Sequence, residues 1–208
     1  MSEHYFTERP SSELVIEEVR VLARGHAFVF RTASGVFSFG RVDAGSLLLA
    51  ESAIVKPHDA VLDLGCGWGL VGIVIREAFP SAAVTLTDVN ERAVMLAKQN
   101  AKRNKASAHV LQGSLYEPVK GTQFDAILVN PPMKAGRELC YTIIGQAPEH
   151  LKPGGTLQLV ALHNRGGKML EKKMKEVFGN VETVAKKGGF RVYICERTEG
   201  RKTSVSAQ

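Results

Sequence analysis

Residues 60–72, Ala60-Val61-Leu62-Asp63-Leu64-Gly65-Cys66-Gly67-Trp68-Gly69-Leu70-Val71-Gly72, constrain the fold more than any other stretch of the chain. A short apolar run reads as a buried strand, glycines follow at alternate positions, and a helical pattern starts straight after them. Glycine permits a sharp turn and a close approach of ligand to main chain, and a helix start offers unpaired N–H groups. Strand, tight turn and helix in that order open a parallel α/β sheet. The same alternation continues downstream. Strands are expected at 60–64, 83–87, 108–111, 124–129 and 156–162, with helices at about 70–79, 90–104, 137–150 and 166–178. Two strand-like runs, 181–187 and 190–196, are joined only by Gly188-Gly189, which predicts a hairpin. The expected fold is α/β: a doubly wound, mostly parallel seven-stranded sheet that ends in an antiparallel hairpin.

Ahead of this core the pattern differs. β-Branched and aromatic residues from Leu14 to Arg31 predict two strands turning at Arg24-Gly25-His26. Ala33-Ser34-Gly35 reads as a further turn leading into Val36-Phe37-Ser38-Phe39. Asp43 is placed to cap a helix over about 45–54, with Leu47, Leu48, Leu49 and Ala53 on its apolar side. The expected organisation is one domain, with a β/α extension over 1–55 packed on a core over 56–197. A polar, disordered tail is expected over 198–208.

Composition narrows the setting. The 208 residues suffice for one full core, and 44% apolar with 23% charged residues is ordinary for a globular protein. No run approaches the roughly 18 apolar residues of a membrane span, and Met1–Tyr5 lack the features of a signal peptide. Cys66, Cys140 and Cys195 are odd in number, widely spaced and share no metal-ligand spacing with the histidines. Reduced thiols in a cytoplasmic protein without a bound metal are therefore expected. The net charge of +6 resides entirely from His163 onward, where eleven lysines and arginines face five acids. Such a region is either a solvated face or an attraction for a polyanion, and a nearby nucleic-acid site would favour the second.

The ligand of the glycine turn can be argued from register and charge. Gly67-Trp68-Gly69-Leu70-Val71-Gly72 matches the dinucleotide pattern G-x-G-x-x-G, with Asp88 21 residues after Gly67. In that pattern the first glycine ends the strand, whereas here Gly65 does. Asp63 places a carboxylate at the strand tip, where it would repel a pyrophosphate and attract the ammonium and sulfonium of S-adenosylmethionine. Tyr116 and Lys120 have the Tyr-x-x-x-Lys spacing of short-chain dehydrogenases, but Pro118 between them opposes a helix. S-adenosylmethionine is the cofactor expected.

A second motif, Asn130-Pro131-Pro132-Met133, follows the fourth core strand, Asp125–Val129. Two prolines cannot continue the strand ladder, so the chain leaves the sheet stiffly. Both turns lie at carboxyl ends of strands, where ligands of α/β sheets bind.

Asp63–Gly69 resembles motif I of class I S-adenosylmethionine-dependent methyltransferases. Asn130–Met133 resembles the N-P-P-[FYW] motif of those that methylate an amino group conjugated to a ring or carbonyl. The resemblance implies that Asp88, with Val89 beside it, grips the ribose hydroxyls. Ser114, followed by Leu115, stands where relatives commonly carry an adenine-binding Asp, and as a neutral acceptor it should bind more weakly. It also implies that the Asn130 side-chain oxygen and the Pro131 carbonyl accept the two N–H groups of the target amine. That pairing favours a pyramidal nitrogen and aims its lone pair at the methyl carbon, while Pro132 helps to keep the acceptors rigid. Met133 departs from the pattern, because a thioether packs on a ring with less defined geometry than an aromatic side chain. Phe37, Phe190 and Tyr193 are candidates to supply an aromatic surface instead.

Over about residues 5–197 the chain is similar to the small-subunit ribosomal RNA guanine-N2 methyltransferases, especially their single-domain relatives. Residues 34–38, 42–49, 177–182 and 187–192 carry this beyond the two motifs. The resemblance implies RNA as partner and guanine N2 as target, and the chain is expected to be a monomer. Larger members carry a second, degenerate methyltransferase-like domain, which is not expected within these 208 residues. Cofactor contacts are expected from Phe37, Asp63, Gly65, Cys66, Gly67, Gly69, Asp88, Val89, Ser114, Leu115 and Asn130. Asn130, Pro131 and Pro132 are the expected catalytic residues, and Met133, Lys134, Phe190 and Arg191 the expected substrate contacts. Two alternatives stand beside this. A protein glutamine methyltransferase shares Asn-Pro-Pro-Tyr, but Met133 and the basic C-terminal region weigh against it. A non-catalytic RNA-binding module is weighed against by the intact cofactor- and amine-binding residues.

Overall fold

A computed structural model describes residues 8–198, so all of the expected tail except Thr198 lies outside the described residues. The described chain opens with an antiparallel hairpin of β1 (Ile16–Ala23) and β2 (His26–Ala33). Arg24 (φ 49°) and Gly25 (φ 77°) turn between them, both in the left-handed region that a two-residue hairpin loop requires. Arg24 is held there by the helix it faces: its guanidinium donates to the carbonyls of Ala50 (2.7 Å) and Ala53 (2.6 Å). These are carbonyls at the C-terminal end of α1 (Ala44–Ser52), where a cation is favoured. Asp43 caps the start of α1, its Oδ2 accepting the Ser46 N–H at 2.7 Å. The buried face of α1 is Gly45, Ser46, Leu49 and Ala50, whereas Leu47 and Leu48 are half-buried. Consecutive residues are turned about 100° apart on a helix, so only one of three adjacent leucines can point straight at the core.

The core then alternates as expected. β3 (Ala60–Leu64), α2 (Leu70–Ala78), β4 (Ala83–Asp88), α3 (Glu91–Arg103), β5 (His109–Gln112) and β6 (Phe124–Val129) come first. They are followed by α4 (Arg137–Gln146), β7 (Leu151–Leu162), α5 (Lys168–Phe178), β8 (Glu182–Lys187) and β9 (Phe190–Glu196). The sheet order is β5-β4-β3-β6-β7-β9-β8, parallel from β5 to β7 and antiparallel at β9 and β8. Alternate residues of the central strands feed two cores. Val61, Ala126, Leu128 and Val160 face α1, α2 and α3, while Leu62, Ile127, Leu157 and Leu159 face α4 and α5.

Three boundaries differ from expectation. β7 starts at Leu151, before the apolar run, because a register shift opposite Phe124 and Ala126 takes up residues 152–155. α4 stops at Gln146, since Pro148 tightens residues 147–150 into a 3₁₀ turn. α5 starts at Lys168 after a wide turn over His163–Gly167, in which Gly166 has φ 100°. No helix among the described residues is long and apolar enough to cross a membrane.

Side-chain amides join the extension to the core. Asn100 Oδ1 accepts the Arg31 N–H (2.8 Å), and its Nδ2 donates to the carbonyls of Arg31 (2.9 Å) and Trp68 (2.8 Å). One helical turn on, Asn104 makes the same pair of bonds with Val29 (3.1 and 3.0 Å). Buried Gln158 on β7 does so with Ile54, accepting at 2.8 Å and donating at 2.7 Å. An amide carries both a donor and an acceptor, so each can complete a backbone as a neighbouring strand would. Phe30, fully buried, packs at 5.0 Å from the ring of Trp68 to fill the space between.

Candidate active site

The sheet reverses its winding between β3 and β6, and a crevice opens there at the carboxyl ends of the strands. Its floor is the turn after β3, where Gly65, Gly67 and Gly69 have φ of 72°, 56° and 92°. A Cβ on Gly67 would meet no protein atom, only the open space of the crevice. The Gly67 N–H donates to Asp88 Oδ2 (2.8 Å), and the Asn90 N–H donates to Asp88 Oδ1 (2.9 Å). The Asp88 carboxylate is therefore clamped at the end of β4, and each oxygen keeps acceptor capacity for a ligand.

Asp63 serves the adjacent helix. The N-cap of α2 is Gly69, which has no side chain to offer, and Asp63 Oδ2 accepts the Gly72 N–H (2.8 Å) in its place. Gly72 admits this approach because a Cβ there would lie 2.8 Å from Leu86 and 3.1 Å from Asp63 Oδ2. Burial pushes the Asp63 carboxyl up to about 7; the Gly72 N–H opposes this, and the charge of Asp88 adds to it. Asp88 is raised as well, chiefly by burial, against the N–H groups of Asn90, Gly67 and Val89. Beside them Thr87 Oγ1 is buried with no hydrogen-bond partner among the described residues, and Thr87 lines the crevice. The buried Asp63 carboxyl, the half-buried Asp88 carboxyl, the Thr87 hydroxyl and a glycine cradle fit a ligand with positive charge and hydroxyl groups, as S-adenosylmethionine has.

The roof belongs to the extension. Trp68 Nε1 donates to the Phe37 carbonyl (3.1 Å) and Asn90 Nδ2 to the Gly35 carbonyl (2.9 Å), holding residues 35–38 over the crevice. The far wall is the turn after β6. Pro132 has φ −76° and ψ 74°, and the Met133 N–H donates to the Pro131 carbonyl at 2.8 Å, which makes an inverse γ-turn. That carbonyl retains one acceptor position. Asn130 Nδ2 donates to Asp43 Oδ2 (2.9 Å) and Ser46 Oγ (2.8 Å), so both its donors are used inside the protein.

The crevice brings together Phe37, Asp63, Gly65, Cys66, Gly67, Asp88, Val89, Ser114, Leu115, Asn130, Pro131 and Pro132. Gly69, at the end of the floor turn, points away from the crevice, and a Cβ there would press on Ile73. The expected substrate residues stand outside it. Met133 is turned toward Gly166 and Cys140, its sulfur 3.9 Å from the Cys140 thiol, and Lys134 is exposed. The Phe190 ring lies against Gly45 at the start of α1, and Arg191 is half-exposed. Tyr193 is fully buried, with its hydroxyl 2.7 Å from His163 Nδ1, so its ring belongs to the core. Tyr116 is also buried and donates to the Ile143 carbonyl (3.0 Å), and a single 3₁₀ turn separates it from Lys120. Asp43, Ser46 and Thr87 line the crevice without having been anticipated there. Only the spacing of Asp43 and Ser46, one helical turn apart, hinted that the two share a face.

The Methyltransferase small domain family model matches residues 27–194. A Bacillus subtilis protein, the uncharacterized protein YbxB, is 37% identical over 196 residues, covering 92% of this chain and 97% of that one. Ribosomal RNA small subunit methyltransferase C of Photorhabdus laumondii is 36% identical over 169 residues, covering 79% of this chain and 49% of its own length. Among solved structures, the Thermus thermophilus 16S rRNA N2 G1207 methyltransferase (RsmC), in complex with AdoMet and guanosine, superposes with a TM-score of 0.76 at 25% identity. That match covers 90% of this chain and 52% of that one, so the chain spans about half the length of these ribosomal RNA methyltransferases.

Proposed function

From the premise that this chain belongs to the methyltransferase small domain family and uses S-adenosylmethionine, we propose that it methylates guanine N2 in ribosomal or other structured RNA. The observation that carries the amine is Asn130. With both Nδ2 hydrogens spent on Asp43 and Ser46, the atom it can offer a ligand is its oxygen, an acceptor on the crevice wall. The remaining acceptor position of the Pro131 carbonyl gives a second, one residue along a turn stiffened by two prolines. Two acceptors suit an amino group with two N–H bonds, whose lone pair is otherwise delocalised into its ring. S-adenosylmethionine, which Asp63, Gly65, Gly67 and Asp88 would hold, would supply an electrophilic methyl group; the Asn130 oxygen and the Pro131 carbonyl would aim the amine lone pair toward it, and one amine proton would pass to water.

RNA is supported by charge near the amine side of the crevice. The turn over 163–167 lies against Met133. Loss of water holds the imidazole of His163 below its ordinary value, and the nearby charges of Arg191, Lys168 and Lys186 add to this against Glu171. Guanine N2 in particular is supported by the similarity to methyltransferase C and to the G1207 enzyme. A target base must be unstacked to reach a crevice at the sheet edge, which favours loops or an open ribosomal intermediate. In the cytoplasm, the three buried thiols stay reduced.

The test is incubation with labelled S-adenosylmethionine and separate RNA, DNA and protein fractions, then analysis of the labelled product. N2-methylguanosine is expected. Label chiefly in N6-methyladenosine or methylglutamine overturns the substrate. Asn130→Ala should lower turnover by roughly 10²–10³ while cofactor affinity changes far less, because the lost acceptor acts as the nitrogen gains positive charge.

A further inference from the structure

We propose that Asp43, assisted by Ser46, is a positioning residue that locks the Asn130 amide with its oxygen toward the target amine; this rests on the function proposed above. An asparagine amide fits its space in two orientations of nearly equal shape. Only one presents an acceptor to an N–H group, and the other would set NH₂ against NH₂. The two neighbours behind Asn130 are not equivalent in deciding between them. A hydroxyl such as Ser46 Oγ can rotate its hydrogen and donate to an oxygen. An ionised carboxylate can only accept, so a flipped amide would place its oxygen against Asp43 Oδ2, acceptor against acceptor. Asp43 therefore selects the orientation.

Asp43 is itself fixed. The same Oδ2 that accepts from Asn130 accepts the Ser46 N–H at 2.7 Å, so the cap of α1 is also the anchor of the amide. Gly45 leaves room for this, since a Cβ there would lie 2.8 Å from the Phe190 ring and 3.1 Å from Asp43 Oδ2. A negative charge behind the amide also polarises it, enriching the oxygen that faces a nitrogen becoming positive. The extension thereby supplies, 87 residues before Asn130, a group that sets the chemistry of the core.

The test must separate this from simple capping. Asp43→Ser keeps a good N-cap but is too short to reach Asn130, and Ser46→Ala leaves the cap intact. Single-turnover transfer to unmethylated small-subunit ribosomal RNA, at saturating cofactor, should slow by about 10- to 100-fold in Asp43→Ser. In the Asn130→Ala background the same change should add nothing, because the amide it positions is gone. A full rate in Asp43→Ser, or an equal loss in both backgrounds, overturns the proposal. A second measurement needs no substrate. Protons on Asn130 Nδ2, followed by NMR in the cofactor-free protein, should exchange slowly with water and faster in Asp43→Ser at unchanged melting temperature. Exchange as fast in the unmodified protein as in an exposed asparagine overturns the clamp. Full turnover in Asn130→Ala, or no transfer to RNA at all, instead overturns the function on which the proposal rests, and the exchange measurement still decides the clamp.

Discussion

Asp63 has one carboxylate and two competing demands on it. Its Oδ2 caps α2 through the Gly72 N–H, and the residue also faces the crevice, where burial pushes it up to about 7. The folded value exceeds that of an unfolded chain, near 4 for an aspartate. This group therefore favours the folded state at low pH, and that contribution is lost as pH rises from about 4 to about 7. A cationic ligand reverses the preference by stabilising the carboxylate. S-adenosylmethionine should bind more tightly at pH 8 than at pH 6, releasing a proton whose heat depends on the buffer; calorimetry showing neither would refute the assignment. At the next strand end, Asp88→Ala should weaken cofactor binding by ~1.5–3 kcal/mol, as for a hydrogen bond to a charged group, also read by calorimetry. The positions of Asp88 and of the glycine turn were legible in the sequence because strand, turn and acid follow one another locally. The tie from Asp43 to Asn130 was not, since no local pattern says which residue 87 positions away a helix cap will face.

Elements were legible wherever burial imposes a period. The central strands β3, β4, β6 and β7 carry apolar runs, and Gly188-Gly189 (φ 57° and 82°) marks the final hairpin without ambiguity. Boundaries failed where something other than burial decides them, as at the start of β7, where a bulge extends pairing into Lys152-Pro153-Gly154-Gly155. The docking of β2 on α3 was also hidden, because Asn100 and Asn104 read as ordinary polar helix residues. Asn100→Ala removes the partners of the Arg31 N–H and carbonyl and of the Trp68 carbonyl. Denaturant unfolding should show a loss of about 1–3 kcal/mol, the penalty for a buried polar group left unpaired. Asn100→Asp should not restore it, since a carboxylate would face two carbonyl oxygens. Leu22→Ala, on an exposed position of β1, is the matching control and should change stability by less than about 0.5 kcal/mol.

Over the whole molecule, charge and topology meet at one edge. The winding reversal places the crevice between β3 and β6, and the basic residues of α5 and the β8–β9 hairpin follow on the β7 side of it. Lys168, Lys186 and Lys187 are exposed and, among the described residues, make none of the ion pairs that engage Lys152 and Lys173. If they grip phosphates, RNA affinity should fall steeply with salt. Neutralising two true contacts should then flatten the log–log slope by about 1.4–1.8 units in a binding titration, and no change for any pair would mark them as a solvated face. The amide joints respond differently. Asn100, Asn104 and Gln158 hold the extension through uncharged groups, and added ions do not screen such bonds as they screen a phosphate contact. A concentrated salt wash should therefore strip nucleic acid from the purified protein while the roof over its crevice stays in place.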